Sequence, residues 1–272
     1  MNRIIPILVI LWLTACGDPL NKKPANNPVT DTTNTGLVIN GEFPEEETSY
    51  TIEPTDTISI GNYTLYFTPT DSILFPPYYS DQKIRDSFWR VFGNSHDAAN
   101  AVENYLEKKL PEIFTSDDST LTLRLADGKK LVLLKWDEEE MQGYCFEGYF
   151  PEIDYVLLYV QYYEGSAYAL VNRKNGFIRE IRGMPYFTGN YKSFITVSVD
   201  MEANYSFNGI EYYTFTADSV VQQFVLGTTN WGPNNAKWLS GNSVIVGKED
   251  WIANADTFYY RTDYTLMTIM RK

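Results

Sequence analysis

FITVSVDMEAN at residues 194–204 and VIVGKEDWIAN at residues 244–254 lie fifty positions apart. Asp200-Met-Glu-Ala203-Asn204 recurs as Asp250-Trp-Ile-Ala253-Asn254, and each copy follows a strand-like run, Phe194–Val199 or Val244–Val246. Their lead-ins are also similar, Tyr186-Phe-Thr-Gly-Asn190 and Lys237-Trp-Leu-Ser-Gly-Asn242. A looser third copy lies upstream, with strands at 155–162 and 168–172 and a turn at Lys174-Asn-Gly176 into Phe177–Ile181. Each unit reads as a small antiparallel meander, and strand units repeating at 40 to 50 residues suggest propeller blades.

The pattern extends outward from this core. Leu121-Thr-Leu-Arg-Leu125 alternates, Asp127-Gly128 turns, and 130–136 returns. The acidic run 137–140 then separates that strand from 144–150 and reads as a solvated tip. Further upstream, 58–60 and 63–67 alternate around Gly61-Asn62, a hairpin signal. Helical spacing occurs in two places. Ile84, Phe88 and Val91 recur within 80–92, and Ala98, Val102, Tyr105 and Leu106 follow a cap at Asn94 or Ser95. The expected fold class is all-β with one or two N-terminal helices, built as propeller-like repeated β-meanders. The alternative is a β-sandwich or an open twisted antiparallel sheet.

Tyr168-Ala-Leu-Val-Asn172-Arg-Lys-Asn-Gly176, followed by Gly183-Met-Pro185-Tyr-Phe187-Thr-Gly-Asn-Tyr-Lys192, resembles the WD40-like repeats of the TolB type. Those repeats pair a hairpin with a Pro-x-aromatic lead-in to the next blade. The resemblance runs over about residues 150–267 and implies a propeller; Thr188-Gly-Asn-Tyr191 stands where the family usually has Ser-Pro-Asp-Gly.

The N-terminus sets the address. Arg3 is followed by an apolar stretch from Ile4 to Leu13 and then by Leu13-Thr-Ala-Cys16. About ten apolar residues are too few for a helix to cross a hydrocarbon core, but they suit a signal peptide. The segment resembles the lipobox of bacterial lipoproteins. That resemblance implies cleavage after residue 15, acylation of Cys16, and outer-membrane sorting because Gly17, not aspartate, follows the cysteine. An ordinary signal peptide with an incidental cysteine is the alternative. Residues 16–49 are poor in apolar side chains and read as the lipidated Cys and a flexible tether, leaving 50–272 as a β-rich globular domain.

Composition limits the function classes. Without the first fifteen residues the chain carries 21 basic and 35 acidic side chains, a net charge of −14, so a nucleic-acid partner is not expected. Cys145, between Tyr144 and Phe146, reads as a buried inert thiol. The lone histidine, His96, has no nucleophile elbow near it and reads as a surface or capping residue. No cofactor motif appears. Asp200, Glu202 and Asn204, continued by Ser206, Asn208 and Glu211, echo calcium-loop spacing, but Tyr205 replaces the required glycine. Trp231, Trp251, Tyr162 and Tyr163 are candidate ligand-stacking aromatics, with core packing as the plainer reading. The expected function is a non-enzymatic binding or scaffolding module in the envelope, with a membrane contact through its lipid and a protein or glycan partner. The alternative is a carbohydrate-binding or carbohydrate-processing module.

Overall fold

The structure is a computed structural model and describes residues 48–71, 82–92, 95–201, 206–254 and 257–272. The chain begins with β1 (Ser49–Tyr50), β2 (Thr57–Ile60) and β3 (Tyr63–Thr70), followed by α1 (Gln82–Phe92) and α2 (Ser95–Glu107). Next come β4 (Phe114–Ser116), β5 (Thr120–Arg124), β6 (Lys130–Leu134), β7 (Gln142–Phe150), β8 (Tyr155–Tyr162), β9 (Ser166–Asn172) and β10 (Ile178–Ile181). The remainder is β11 (Pro185–Phe187), β12 (Ser193–Ser198), β13 (Gly209–Phe215), β14 (Val220–Thr228), β15 (Gly232–Trp238), β16 (Ser243–Asn254) and β17 (Thr257–Arg271). The protein is mostly β, with two short helices.

Local chemistry accounts for the turns. Ile60 pairs with Tyr63 across Gly61-Asn62, and Gly61 takes φ +52°, a conformation that a Cβ disfavours. Arg124 pairs with Lys130 around Asp127-Gly128, where the Asp127 carboxylate accepts the Lys129 N–H. Helix α2 buries Ala98, Ala99, Val102 and Leu106, the face expected from its spacing. Helix α1 forms where its spacing places it but turns differently: Val91 is exposed, whereas Phe88 and Trp89 pack inward.

Among the described residues the strands form four sheets. Three are meanders of consecutive strands: β4–β6, β7–β10 and β11–β14, the last extended by a short parallel pairing of β1 on β14. In the fourth, β15, β16 and β17 are completed by β3 and β2 from the start of the chain. The sheets stack face to face in that order. Leu121, Leu123 and Leu131 meet Phe146, Val156 and Leu158, with Phe114 and Phe146 stacked at 3.8 Å. Leu157, Leu170 and Ile181 meet Phe194, Tyr213 and Val220. Ile195, Ile210 and Leu226 meet Leu65, Val246 and Met267. Both faces of β8 are therefore covered, and Tyr155 to Val160 are buried without a break. Each such aliphatic side chain contributes about 1.5–3 kcal/mol by leaving water.

The sheets do not close into a propeller or barrel, which corrects the ring expected from the repeats. Three apolar interfaces join the four sheets in a row, and no cluster joins the β15-containing sheet to β4–β6 among the described residues. The pentapeptide repeat is not structurally equivalent either. Strand β12 ends at Ser198, so Asp200 lies in a connection, whereas Asp250–Asn254 continue β16 because β17 pairs with it as far as Asn254–Thr257. The lead-ins do correspond: each is a turn, joining β11 to β12 and β15 to β16. No described helix is long and apolar enough to cross a membrane.

Candidate functional site

Helix α2 covers the edge of the β7–β10 sheet. Residues four apart share a helix face, so α2 carries a polar stripe of His96, Asn100 and Asn104 beside its apolar face. Next to this stripe, Glu103 is fully buried. Its carboxylate accepts the Lys135 ammonium at 2.7 Å, the Ser116 hydroxyl at 2.7 Å and the Phe146 N–H of edge strand β7 at 2.8 Å. One turn on, the Glu107 carboxylate accepts the Ser116 N–H at 2.8 Å. Two helix carboxylates thus tie α2 to the end of β4, to Lys135 just beyond β6, and to β7. Burial alone would lower the pKa of Lys135; the hydrogen bond and charge of Glu103 outweigh it and leave it raised.

A cleft of about 830 Å³ opens between α2 and the β4–β6 sheet. His96, Asn100 and Asn104 line it from the helix, Ser116–Ser119 from the β4–β5 turn, and Leu134, Lys135, Trp136 and Glu138 from the far side. The turn is rigidly built. Asp117 accepts the N–H groups of Ser119 and Thr120 and both of their hydroxyls, which pulls its pKa down to about 2. The Lys135 N–H donates to the Ser119 carbonyl at 2.9 Å, which continues the β5–β6 ladder past the Thr120–Leu134 pair and joins the turn to Lys135. Gly143 of β7 lets the backbone approach that wall: an added Cβ would lie 2.0 Å from the Lys135 carbonyl oxygen and 3.2 Å from the Trp136 ring. Among the described residues the side chains of Asn104, Asp118, Trp136 and Glu138 make no hydrogen bond, and all four line the cleft.

His96 is exposed, as expected, yet it lines the cleft. Its Nδ1 lies 2.8 Å from Gln161 Oε1 and its Nε2 3.0 Å from Asn100 Nδ2, which fits the tautomer protonated on Nδ1. Cys145 is buried 3.8 Å from Asn100 Oδ1; burial first, then the Glu103 charge, pushes the thiol up to about 12. The burial of the thiol is what its apolar neighbours led one to expect.

The other carboxylates of note serve the framework. Glu147 occupies a β-bulge in β7, which turns its side chain inward to Arg85 of α1; Arg85 also donates to the Tyr168 hydroxyl at 3.0 Å. Burial raises the pKa of Glu147 against the pull of Arg85. Glu211 accepts the Arg182 N–H, the Thr196 hydroxyl and the Gln222 amide.

The remaining candidates from the sequence are dispersed. Asp200 accepts the Ser206 N–H at 2.7 Å, while Asn208 is bonded to the Trp231 and Thr228 carbonyls. The Asp200 N–H also donates to Asn208 Oδ1 at 3.1 Å, while Glu211 is buried in β13; Glu202 and Asn204 lie outside the described residues. Trp231 is a correction: it is 1 % exposed in the core, so its face is closed to a ligand. Tyr162 packs against the core, and Tyr163 is exposed on the β8–β9 turn. Trp251 pairs with Tyr260 in the β16–β17 ribbon, and its side chain lies outside what is described. Cys16 also lies outside the described residues. Sequence reasoning passed over Trp136 as a strand end; its one available signal was an indole beside a polar turn. No family model matches the chain, and no curated protein matches it in sequence.

Proposed function

We propose that this chain is an envelope lipoprotein, anchored through Cys16 to the outer membrane, whose domain is a non-enzymatic binding or scaffolding module. The cleft between α2 and β4–β6 is its ligand site. The carrying observation is the contrast between a fixed frame, Glu103–Lys135–Ser116, and Asn104, Asp118, Trp136 and Glu138, which line the opening without a side-chain hydrogen bond among the described residues. Preorganised walls with a few free polar groups are what a ligand pocket requires. Two observations favour binding over catalysis. The Cys145 thiol is buried and held protonated, and both His96 ring nitrogens face amide side chains instead of a serine or a carboxylate.

A thermal-shift comparison tests the reading. Solubilised envelope fractions should raise the melting temperature of the wild type, because a ligand of the native state stabilises it. The cleft-filling variant Asn104→Trp should fold but show no shift. An equal shift in both, or none in either, refutes the site. Cys16→Ser should release the protein from membranes; unchanged fractionation refutes the anchor.

A further inference from the structure

We propose that the ligand of this cleft is a neutral carbohydrate, held with one sugar ring against Trp136; this rests on the cleft being a ligand site. Charge narrows the class first. Asp117, Asp118 and Glu138 line the cleft, and the cation there, Lys135, is already paired with Glu103 beneath it. A cleft with that balance repels phosphates, uronic acids and nucleic acid.

The free groups narrow it further. The Asn104 amide offers two N–H donors and one acceptor, whereas Asp118 and Glu138 only accept. A sugar hydroxyl both donates and accepts, so vicinal hydroxyls satisfy the two kinds of partner together. An ammonium ligand only donates: Asp118, Glu138 and the Asn104 Oδ1 can accept it, but the two Asn104 N–H groups gain no acceptor from it. Trp136, half-buried just past β6, is the aromatic among the lining residues. A pyranose has an apolar C–H face and a polar rim, and an indole bordered by amide and carboxylate groups complements both. Gly143 lies close enough to this wall that a Cβ there would meet the Lys135 carbonyl and the edge of the Trp136 ring. A volume of about 830 Å³ suits a short oligosaccharide rather than a single ring.

The test is a printed array of neutral glycans followed by titration calorimetry on the full chain, in a polyoxyethylene detergent that carries no sugar. The calorimetric probes are maltotriose, cellotriose, xylotriose, mannotriose and chitotriose, with tri-galacturonate as the anion and spermidine as the cation. A neutral glycan should bind. Trp136→Ala should weaken it about ten-fold or more, Trp136→Phe should restore most of the loss, and Asn104→Ala should weaken it several-fold. Unaltered melting of each variant separates a lost contact from a lost fold. Tri-galacturonate binding as tightly as the neutral sugars overturns the inference, as does glycan binding indifferent to Trp136→Ala. Spermidine binding that depends on Trp136, with every neutral glycan silent, overturns the carbohydrate and leaves the cleft as a ligand site. Silence of the array and of every probe, with no shift from envelope fractions, overturns both.

Discussion

Glu103→Ala should be among the most damaging single changes in this domain. The substitution removes one fully buried carboxylate that holds three donors at 2.7, 2.7 and 2.8 Å. The Lys135 ammonium, with a side chain 19 % exposed, is left without its counter-charge. Breaking such a pair from one side costs about 3–5 kcal/mol, and an orphaned N–H such as that of Phe146 adds about 1–3 kcal/mol where no water reaches it. The losses share atoms and do not sum, so about 4 kcal/mol is expected, or a fall of roughly 8–16 °C in melting temperature for a domain of this size. Urea unfolding of the wild type, Glu103→Ala, Lys135→Met and the double variant checks it. The double variant should be markedly less destabilised than the two singles combined, because it buries no lone charge. The pH profile has a definite sign. The Lys135 pKa is raised in the fold, so its contribution is complete below the unfolded value of about 10.4 and fades as the pH climbs through the folded one. A Glu103→Ala cost below about 1 kcal/mol, or strict additivity with Lys135→Met, would refute the account of how α2 is fixed.

Gly143→Ala should cost about 2–4 kcal/mol and weaken ligand binding in proportion, since its Cβ cannot coexist with the Lys135 carbonyl; urea unfolding within 0.5 kcal/mol of the wild type, to roughly the accuracy of such measurements, counts against the close approach. Cys145, in a Cys16→Ser background, should resist a thiol reagent at pH 8 and react at once in denaturant; fast native labelling would contradict a pKa of about 12. Glu180 on β10 is partly buried, one of its oxygens has no hydrogen-bond partner among the described residues, and burial raises its pKa from 4.5 to about 7. Between those values the unfolded chain gives up the proton first, so stability declines as the pH rises through that window. Glu180→Gln should therefore stabilise by about 2 kcal/mol at pH 8 and not at pH 4, and a gain that is the same at both pH values would refute this.

Much of the secondary structure was legible. The hairpin at Gly61-Asn62, the turn at Asp127-Gly128, the strands at 155–162 and 168–172, and both helices follow from periods of 2 and 3.6 and from turn chemistry acting over a few residues. Periodicity failed where two strands of similar sequence acquired different partners. Asp250–Asn254 extend a strand because β17 is long enough to pair with them, whereas β12 ends at Ser198, before Asp200. It failed again at Trp231. A tryptophan in a Gly- and Asn-rich stretch reads as exposed, yet the sheets on either side of it close over its ring.

Two kinds of information separate cleanly. Alternation, helical spacing, turn residues and charge balance are properties of neighbours along the chain, and they determined that this protein is β-rich, carries two helices before its main run of strands, and has an acidic surface. Which sheet faces which, whether the stack closes, and which polar side chains share a cleft depend on residues far apart in number. Glu103 meets Phe146, Lys135 nears Gly143, and Trp136 and Asn104 come to line one cleft only in the packed chain. Tertiary packing alone decided these, because a buried carboxylate settles where several separate donors converge, and no local pattern encodes that convergence.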